Sequence, residues 1–184
     1  YGLSLHQGKT VHLPLYSDKT ILFPDGSRLK KTEEVTYLGC AISSTLNHNR
    51  EINGCLRACM AVWKRLGVFW KKSNCSRRTK LTIYNALINS KLLYALDSLQ
   101  LTKAQENKFR TFQLKGLRQI CKIKTTFVDR RNTNDFVFKI ANNAMKERVP
   151  GKRKQKPAKP IIPTTQTLKK RAQTYMGHLL REPR

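Results

Sequence analysis

The sequence predicts a mainly α-helical chain that begins with a small antiparallel β-hairpin or sheet and ends in a basic extension. Three observations support this fold class. Residues 1–48 contain short, weakly alternating apolar runs between turn residues, whereas residues 49–149 repeat apolar positions at helical spacing. Residues 150–164 form a basic, proline-rich stretch that we expect to be an extended linker, and a short basic helix is predicted over residues 165–184.

The β-hairpin is predicted from a strong turn signal. Pro24-Asp25-Gly26 follows the β-rich run KTILF, and proline presets φ while glycine accepts a positive φ. The stretch EEVTYLGCAIS, residues 33–43, is predicted as the partner strand, with a turn-like centre at Tyr37-Leu38-Gly39. Two strands alone are barely stable in water, so we expect a helix or another protein to pack against them.

Four helices are predicted between residues 49 and 149. Ser76 and Thr102 are candidate N-caps, because each precedes a run of apolar residues repeated every three or four positions. The fourth helix is less regular and is expected to stop at Pro150-Gly151. The predicted helices cover residues 49–70, 76–99, 102–121 and 132–149.

Positive charge dominates the composition. The 184 residues include 37 Lys and Arg against 11 Asp and Glu, a formal net charge of +26. Such a surplus opposes compaction unless a polyanion neutralises it, and nucleic acid is the commonest such partner. An anionic membrane surface is the competing partner, but no segment is amphipathic and long enough to favour it, and no long apolar stretch predicts a transmembrane helix.

The candidate nucleic-acid-binding residues cluster along the sequence. One cluster brackets Trp63, Phe69 and Trp70 at the junction of the first two helices, although Trp63 falls on the apolar stripe and is expected in the core. Another follows the third helix, where cations also suit the macrodipole. The linker cluster fits either a localisation signal or an arm in an RNA groove. The candidates are Lys64, Arg65, Lys71, Lys72, Arg77, Arg78 and Lys80; Lys115, Arg118, Lys122, Lys124, Arg130 and Arg131; Lys152, Arg153, Lys154, Lys156 and Lys159; and Lys169, Lys170, Arg171 and Arg181.

Neither a cofactor nor a catalytic arrangement is predicted. The cysteine count is odd and includes no CxxC pair, which favours an intracellular, reducing compartment. Cys55 and Cys59 lie one helical turn apart and could hold zinc, but no second Cys/His pair follows, so buried apolar cysteines are favoured. The carboxylates are scattered, and the histidines lack a nearby nucleophile. On residues alone, the chain is a binding module.

Six stretches occur in order along the chain: YGLSLHQGKT, YLG, REINGCLRACMAVWKRL, KLTIYNALINSKLLYALDSLQLT, FRTFQLKGLRQICKI and RAQTYMGHLLREP. In this order and spacing they resemble the C-terminal part of non-LTR retrotransposon (LINE-type) reverse transcriptases, over nearly the whole chain. The last stretch is similar to that family's Gly-His-x-x-Arg segment, at Gly177, His178 and Arg181.

The resemblance implies the end of a palm followed by a thumb-like helical bundle. In that family Lys9 would lie near the incoming nucleotide's phosphates, and Tyr37-Leu38-Gly39 would be the primer-grip turn. The later helices would form the thumb, which holds the template–primer duplex by its phosphates. His6 stands where the family usually has Asn.

The family's metal-binding aspartates would lie upstream of Tyr1, and the sequence contains no aromatic-Ala-Asp-Asp hairpin. Two-metal phosphoryl transfer needs those carboxylates, so no polymerase activity is expected from these 184 residues. Lys9 then becomes a phosphate contact or a surface charge.

Two functions therefore remain open. The first is a domesticated, non-catalytic RNA-binding module of a ribonucleoprotein such as a mitochondrial ribosome, with rRNA or another structured RNA and protein neighbours as partners. DNA or an RNA–DNA duplex is the alternative nucleic acid, and the mitochondrion is favoured over the nucleus. The second is the C-terminal thumb fragment of an active RNA-directed DNA polymerase. A first residue other than Met fits a removed targeting segment, a missing upstream region or a fragment without a role.

Overall fold

The computed structural model describes residues 5–17, 19–37, 39–45, 48–94, 96, 99, 101–147 and 159–181. Within these ranges the chain is mainly helical and has a small two-stranded antiparallel sheet near its N-terminus, which confirms the predicted fold class at this level. The chain divides into two compact units, Tyr1–Gly54 and Cys55–Arg184, which are described separately.

The N-terminal unit contains two separate strand pairs. β1 (Val11–His12) pairs in parallel with β2 (Lys30–Lys31), and β3 (Glu34–Tyr37) pairs antiparallel with β4 (Cys40–Ser43). Tyr37 is the register partner of Cys40, so β3 and β4 form a tight hairpin. Gly39, inside its turn, has a φ of 82°, a left-handed conformation that glycine adopts without steric cost.

The prediction that residues 33–43 form one strand is wrong, because the chain reverses at Gly39 and the two halves pair with each other. The turn at Pro24-Asp25-Gly26 is present, but only an isolated bridge, between Leu22 and Arg28, spans it. Side-chain and backbone hydrogen bonds from Ser27 to the Asp25 carboxylate tighten this turn and lower the pKa of that carboxyl group.

The helices begin close to where their caps predict. Ser76 Oγ accepts a hydrogen bond from Thr79 N at 3.1 Å. Thr102 and Gln105 form a reciprocal capping box, in which each side chain bonds the other residue's backbone N–H. The helical elements are α1 (Asn49–Arg65), α2 (Gly67–Lys72), α3 (Arg77–Tyr84), a π-helical turn (Asn85–Asn89), α4 (Ser90–Leu92), α5 (Lys103–Cys121), α6 (Asn134–Lys146) and α7 (Thr164–Leu179).

Two of the predicted helices are interrupted. The first is interrupted at Leu66, whose ψ of 14° separates α1 from α2. The Trp63 and Trp70 rings then stack with their centroids 4.8 Å apart, and Trp70 Nε1 donates to Trp63 O at 3.2 Å. The second changes to a π turn after Tyr84, where Ser90 N bonds the carbonyl five residues earlier instead of four.

The core of the C-terminal unit lies between α3, α5 and α6. Gly116 lets two aromatic rings pack closely against the backbone of α5. A Cβ atom at this position would lie 3.0 Å from Tyr84 Cε2 and 3.4 Å from Trp63 Cζ3. A larger residue would therefore displace two aromatic rings. Fully buried core side chains are Leu81, Tyr84, Ile88, Phe109, Leu117, Val137 and Ala141.

Two side-chain amides fix the chain that leads into α7. Asn142 Oδ1 accepts from Ile161 N at 2.7 Å, and Asn142 Nδ2 donates to Ile161 O at 3.0 Å. Gln113, which is fully buried, bonds Ile162 O at 2.9 Å and Thr164 N at 2.8 Å. The end of the predicted linker is therefore fixed to the helical unit, because the Ile161 side chain is buried, and α7 begins at Thr164, one residue before the predicted helix.

Candidate nucleic-acid interface

Exposed cations stand at the junction of α2 and α3. Lys71 and Lys72 form the last turn of α2, Arg77 begins α3, and all three are exposed. The sequence has no Asp or Glu between Glu51 and Asp97, so these charges have no acidic neighbour along the chain. An exposed cluster of cations of this kind is suited to contact phosphate groups.

Lys80 does not belong to this exposed cluster. Its residue is only 7% exposed, and its Nζ donates to Trp70 O at 3.1 Å and to Ser73 O at 3.0 Å. The Phe69 ring centroid lies 6.0 Å from the same ammonium group. Since these carbonyls belong to the end of α2 and the residue that caps it, Lys80 stabilises that helix end instead of facing solvent.

Arg78, another predicted candidate, is half-buried and serves the end of a different helix. Its Nη1 donates to Met145 O at 2.6 Å and to Glu147 O at 2.7 Å. These carbonyls flank the last residue of α6, Lys146. The guanidinium group therefore connects α3 to the end of α6, and its Nη1 donor is already used within the protein.

The aromatic residues of the first cluster mainly pack against one another. Trp70 is 3% exposed, and Trp63 stacks on it while meeting the Tyr84 ring edge-on at 5.9 Å. Phe69 is half-buried and contacts Trp70 edge-on at 5.0 Å. The structure thus favours the core interpretation of Trp63 over its use as an open stacking face.

A row of lysines follows one side of α5. Lys108, Lys115 and Lys122 are exposed and recur at seven-residue steps, which corresponds to a rise of about 10 Å per step. Lys108 was not among the predicted candidates, although its spacing of seven residues from Lys115 is visible in the sequence. No acidic residue occurs between Glu106 and Asp129, so the row and its continuation are uniformly basic.

The α5 row borders the helix that carries part of the first cluster. A small groove of about 80 Å³ between α1 and α5 is lined by Met60, Trp63, Phe112, Lys115, Gly116 and Gln119. Lys64 follows Met60 by one helical turn on α1 and is exposed, as is Arg65. Lys115 of the second cluster therefore lines this groove, and Lys64 of the first cluster lies one helical turn along α1 from Met60, which lines it too.

The loop between α5 and α6 carries the rest of the second cluster. Lys122 ends α5 with a left-handed φ of 57°, and Ile123 N bonds Arg118 O at 2.9 Å in a Schellman-like end. Arg118 is half-buried, and its guanidinium donates to Lys124 O and Asn132 O, both at 2.8 Å. Arg118 thus closes this loop and is not an exposed contact.

The loop exposes its remaining cations and also an aromatic ring. Lys124, Arg130 and Arg131 are exposed, and Phe127 is 98% exposed. Asp129 accepts hydrogen bonds from the backbone and the side chain of Arg131, which lower the pKa of its carboxyl group. Phe127 was not among the predicted contacts, because it lies between two predicted helices and outside their apolar repeats. An aromatic residue outside every apolar repeat was the sequence signal for an exposed ring.

The remaining predicted contacts are dispersed. Lys159, Lys170, Arg171 and Arg181 are exposed, and Lys169 pairs with Glu106 at 3.5 Å. In the N-terminal unit Lys9 is exposed, Tyr37 ends β3 and Gly39 lies in the hairpin turn. Other candidates lie outside the described residues, so their placement is not assigned: Leu38, Lys152, Arg153, Lys154 and Lys156.

The cysteines of α1 donate to backbone carbonyls. Cys55 Sγ contacts Lys91 O at 3.5 Å, and Cys59 Sγ contacts Ile88 O at 3.7 Å. A hydrogen bond with Cys55 and burial raise the pKa of Cys59, and burial raises the pKa of Cys121 to about 11. Cys59 is buried, as the apolar interpretation predicts, whereas Cys55 is only half-buried. No cluster of three or more His, Cys, Asp or Glu side chains suited to a metal occurs among the described residues.

Within the described ranges, no helix has the length and apolar character needed to span a membrane. Comparisons with protein-family models, with curated proteins and with solved structures found no significant match. The fold and the composition define a mainly helical, strongly basic chain.

Proposed function

We propose that this chain is a non-catalytic RNA-binding module that contacts the phosphate backbone as a component of a ribonucleoprotein. The observation that carries the proposal is the exposed cations of the helical unit, at the α2–α3 junction and along α5 after Glu106, in stretches of the sequence that contain no Asp or Glu. Cations without acidic neighbours gain from releasing the counterions of a polyanion, and they repel one another when no polyanion is bound.

The chemistry of this surface favours a structured RNA, such as rRNA, and little base selectivity. Lysine and arginine contacts to phosphates fix the position of a protein on nucleic acid without reading its sequence. The order of the six reverse-transcriptase-like stretches supports a thumb-derived origin, in which the module retains duplex binding. A mitochondrial ribonucleoprotein with protein neighbours is the proposed setting, and DNA or an RNA–DNA duplex is the alternative ligand.

A triple variant tests the proposal. Lys71→Gln, Lys72→Gln and Arg77→Gln together should weaken binding to a structured RNA by roughly ten- to a hundredfold at low salt, and should do so equally for unrelated sequences. All three side chains are exposed, so folding should be preserved. Fluorescence anisotropy with labelled RNA measures the affinity, and a thermal melt verifies folding.

The matched control removes the same charge from the N-terminal unit. Lys19, Arg28 and Lys30 are also exposed, and their replacement by glutamine should leave affinity within about threefold of wild type. Equal losses in the two triple variants would mean that only net charge matters, which would contradict an interface on the helical unit.

The order of the six stretches also supports the second function, the C-terminal part of an active RNA-directed DNA polymerase. Mass spectrometry of the intact native protein separates the two. A protein of several hundred residues with an aromatic-Ala-Asp-Asp hairpin upstream would establish the polymerase, and a mature chain without that hairpin would exclude it.

A further inference from the structure

An aromatic side chain stands in solvent at the tip of the loop that joins α5 and α6. Phe127 is 98% exposed and the neighbouring Val128 is 60% exposed. Burial of a phenylalanine side chain ordinarily contributes favourably to the free energy of folding, but the Phe127 side chain is left in solvent. The ring therefore contributes nothing to the core and is available to a partner.

The loop that presents Phe127 is held by its own hydrogen bonds. Arg118 bonds the carbonyls of Lys124 and Asn132, one on each side of the tip. Within the loop, the Val128 and Asp129 amides both donate to Thr125 O, at 3.0 and 3.1 Å. A preorganised tip loses little conformational entropy when it binds, so the position of the ring is set before a partner arrives.

The charges around the tip point to a polyanion. The loop contains one acid, Asp129, whose carboxylate is engaged by Arg131 at 3.3 Å. The exposed cations within a few residues of Phe127 on the same loop are Lys122, Lys124, Arg130 and Arg131. An exposed ring between cations suits a nucleobase whose flanking phosphates meet the cations, because every base offers a π-face to stack on. One ring and one valine are too little apolar surface to anchor the chain in a membrane.

We propose that Phe127 is a stacking platform for an unpaired or terminal RNA base, with Lys124 and Arg130 contacting the phosphates beside it. This inference rests on the proposed RNA-binding function and adds a preference to it. Phosphate contacts alone do not distinguish a continuous duplex from an interrupted one, whereas stacking on Phe127 requires a base that is free of its pair.

Two RNA hairpins of equal length and charge that share the same loop test the inference, one with an uninterrupted stem and one with a single bulged 2-aminopurine in its stem. Wild-type protein should bind the bulged hairpin about tenfold more tightly than the uninterrupted one and should quench the 2-aminopurine emission. Phe127→Ala and Phe127→Leu should lose this preference and the quenching, yet bind the uninterrupted hairpin as wild type does. Phe127→Trp should retain both, since tryptophan also stacks.

The leucine variant keeps the apolar volume and therefore separates stacking from simple burial. Because Phe127 is almost fully exposed, none of these variants should change the melting temperature. If Phe127→Ala keeps the tenfold preference and the quenching, the stacking platform is disproved, while RNA binding stands. If Phe127→Leu behaves as wild type, the tip acts by apolar burial and the proposal fails. Failure of wild type to bind either hairpin would overturn the RNA-binding function itself.

Discussion

The affinity of this protein for RNA should fall by roughly a thousandfold or more between about 50 and 200 mM monovalent salt. A protein that contacts about 6–10 phosphates releases a similar number of condensed cations, and added salt opposes that release. The exposed cations at the α2–α3 junction, along α5 and in the following loop suffice for contacts of this number. Because phosphate contacts do not read the bases, two RNAs of equal structure but different sequence should have dissociation constants within about threefold of each other.

The measurement is a salt titration of RNA affinity, plotted as the logarithm of the association constant against the logarithm of the salt concentration. For duplex RNA we expect a steep negative slope, on the order of 0.9 per phosphate contact. The Gln triple variant of Lys71, Lys72 and Arg77 should reduce the magnitude of this slope by about 3, or about 1 per lost contact. A change in affinity of less than about tenfold across the salt range would argue against phosphate-dominated binding.

Replacing Lys80 by methionine should lower the free energy of unfolding by about 3 kcal/mol, because two bonds from a charged donor are lost. The ammonium group donates to Trp70 O and Ser73 O at the end of α2, and methionine retains the volume but offers no donor. The partly buried carbonyls would then lack their partner. At temperatures where the variant is folded, its RNA affinity should match that of wild type, since the lost charge faces inward.

Urea unfolding followed by circular dichroism measures this effect, and Lys72→Met is its matched control. Lys72 lies in the last turn of α2, close in sequence to the carbonyls that Lys80 caps, but its side chain is exposed. The control should change stability by less than about 0.5 kcal/mol while it weakens RNA binding. A Lys80→Met protein as stable as wild type but deficient in RNA binding would reverse the assignments of the two lysines.

The helical part of the fold was predictable because its signals are local. Helix caps and apolar repeats depend on residues that are close in sequence. The structure confirms the caps at Ser76 and Thr102 and the apolar repeat of α5. The β region was harder, since the pairing of a short strand depends on long-range choices. Gly39 adopts a left-handed φ at the turn, and residues 34–37 pair with residues 40–43 instead of with an earlier strand.

The candidate site was only partly predictable because sequence does not give the direction of a side chain. Lys72 and Lys80 look alike in an acid-free segment, yet one is exposed and the other caps a helix end. That difference depends on tertiary contacts, because Lys80 reaches the Trp70 and Ser73 carbonyls from α3, whereas Lys72 lies on α2 itself. Sequence identified the basic surface, whereas tertiary contacts determined which of its members remain available.

Lysine footprinting tests the central claim most directly, because it locates the RNA on the protein. The complex and the free protein are acetylated under identical conditions, and the modification of each lysine is quantified by mass spectrometry. RNA should protect Lys71, Lys72 and Lys115 from acetylation and should leave Lys30 of the N-terminal unit reactive. Lys80 should be unreactive both in the complex and in the free protein, because it is buried. Undiminished acetylation of Lys71, Lys72 and Lys115 at saturating RNA would contradict the assignment of the helical surface as the interface.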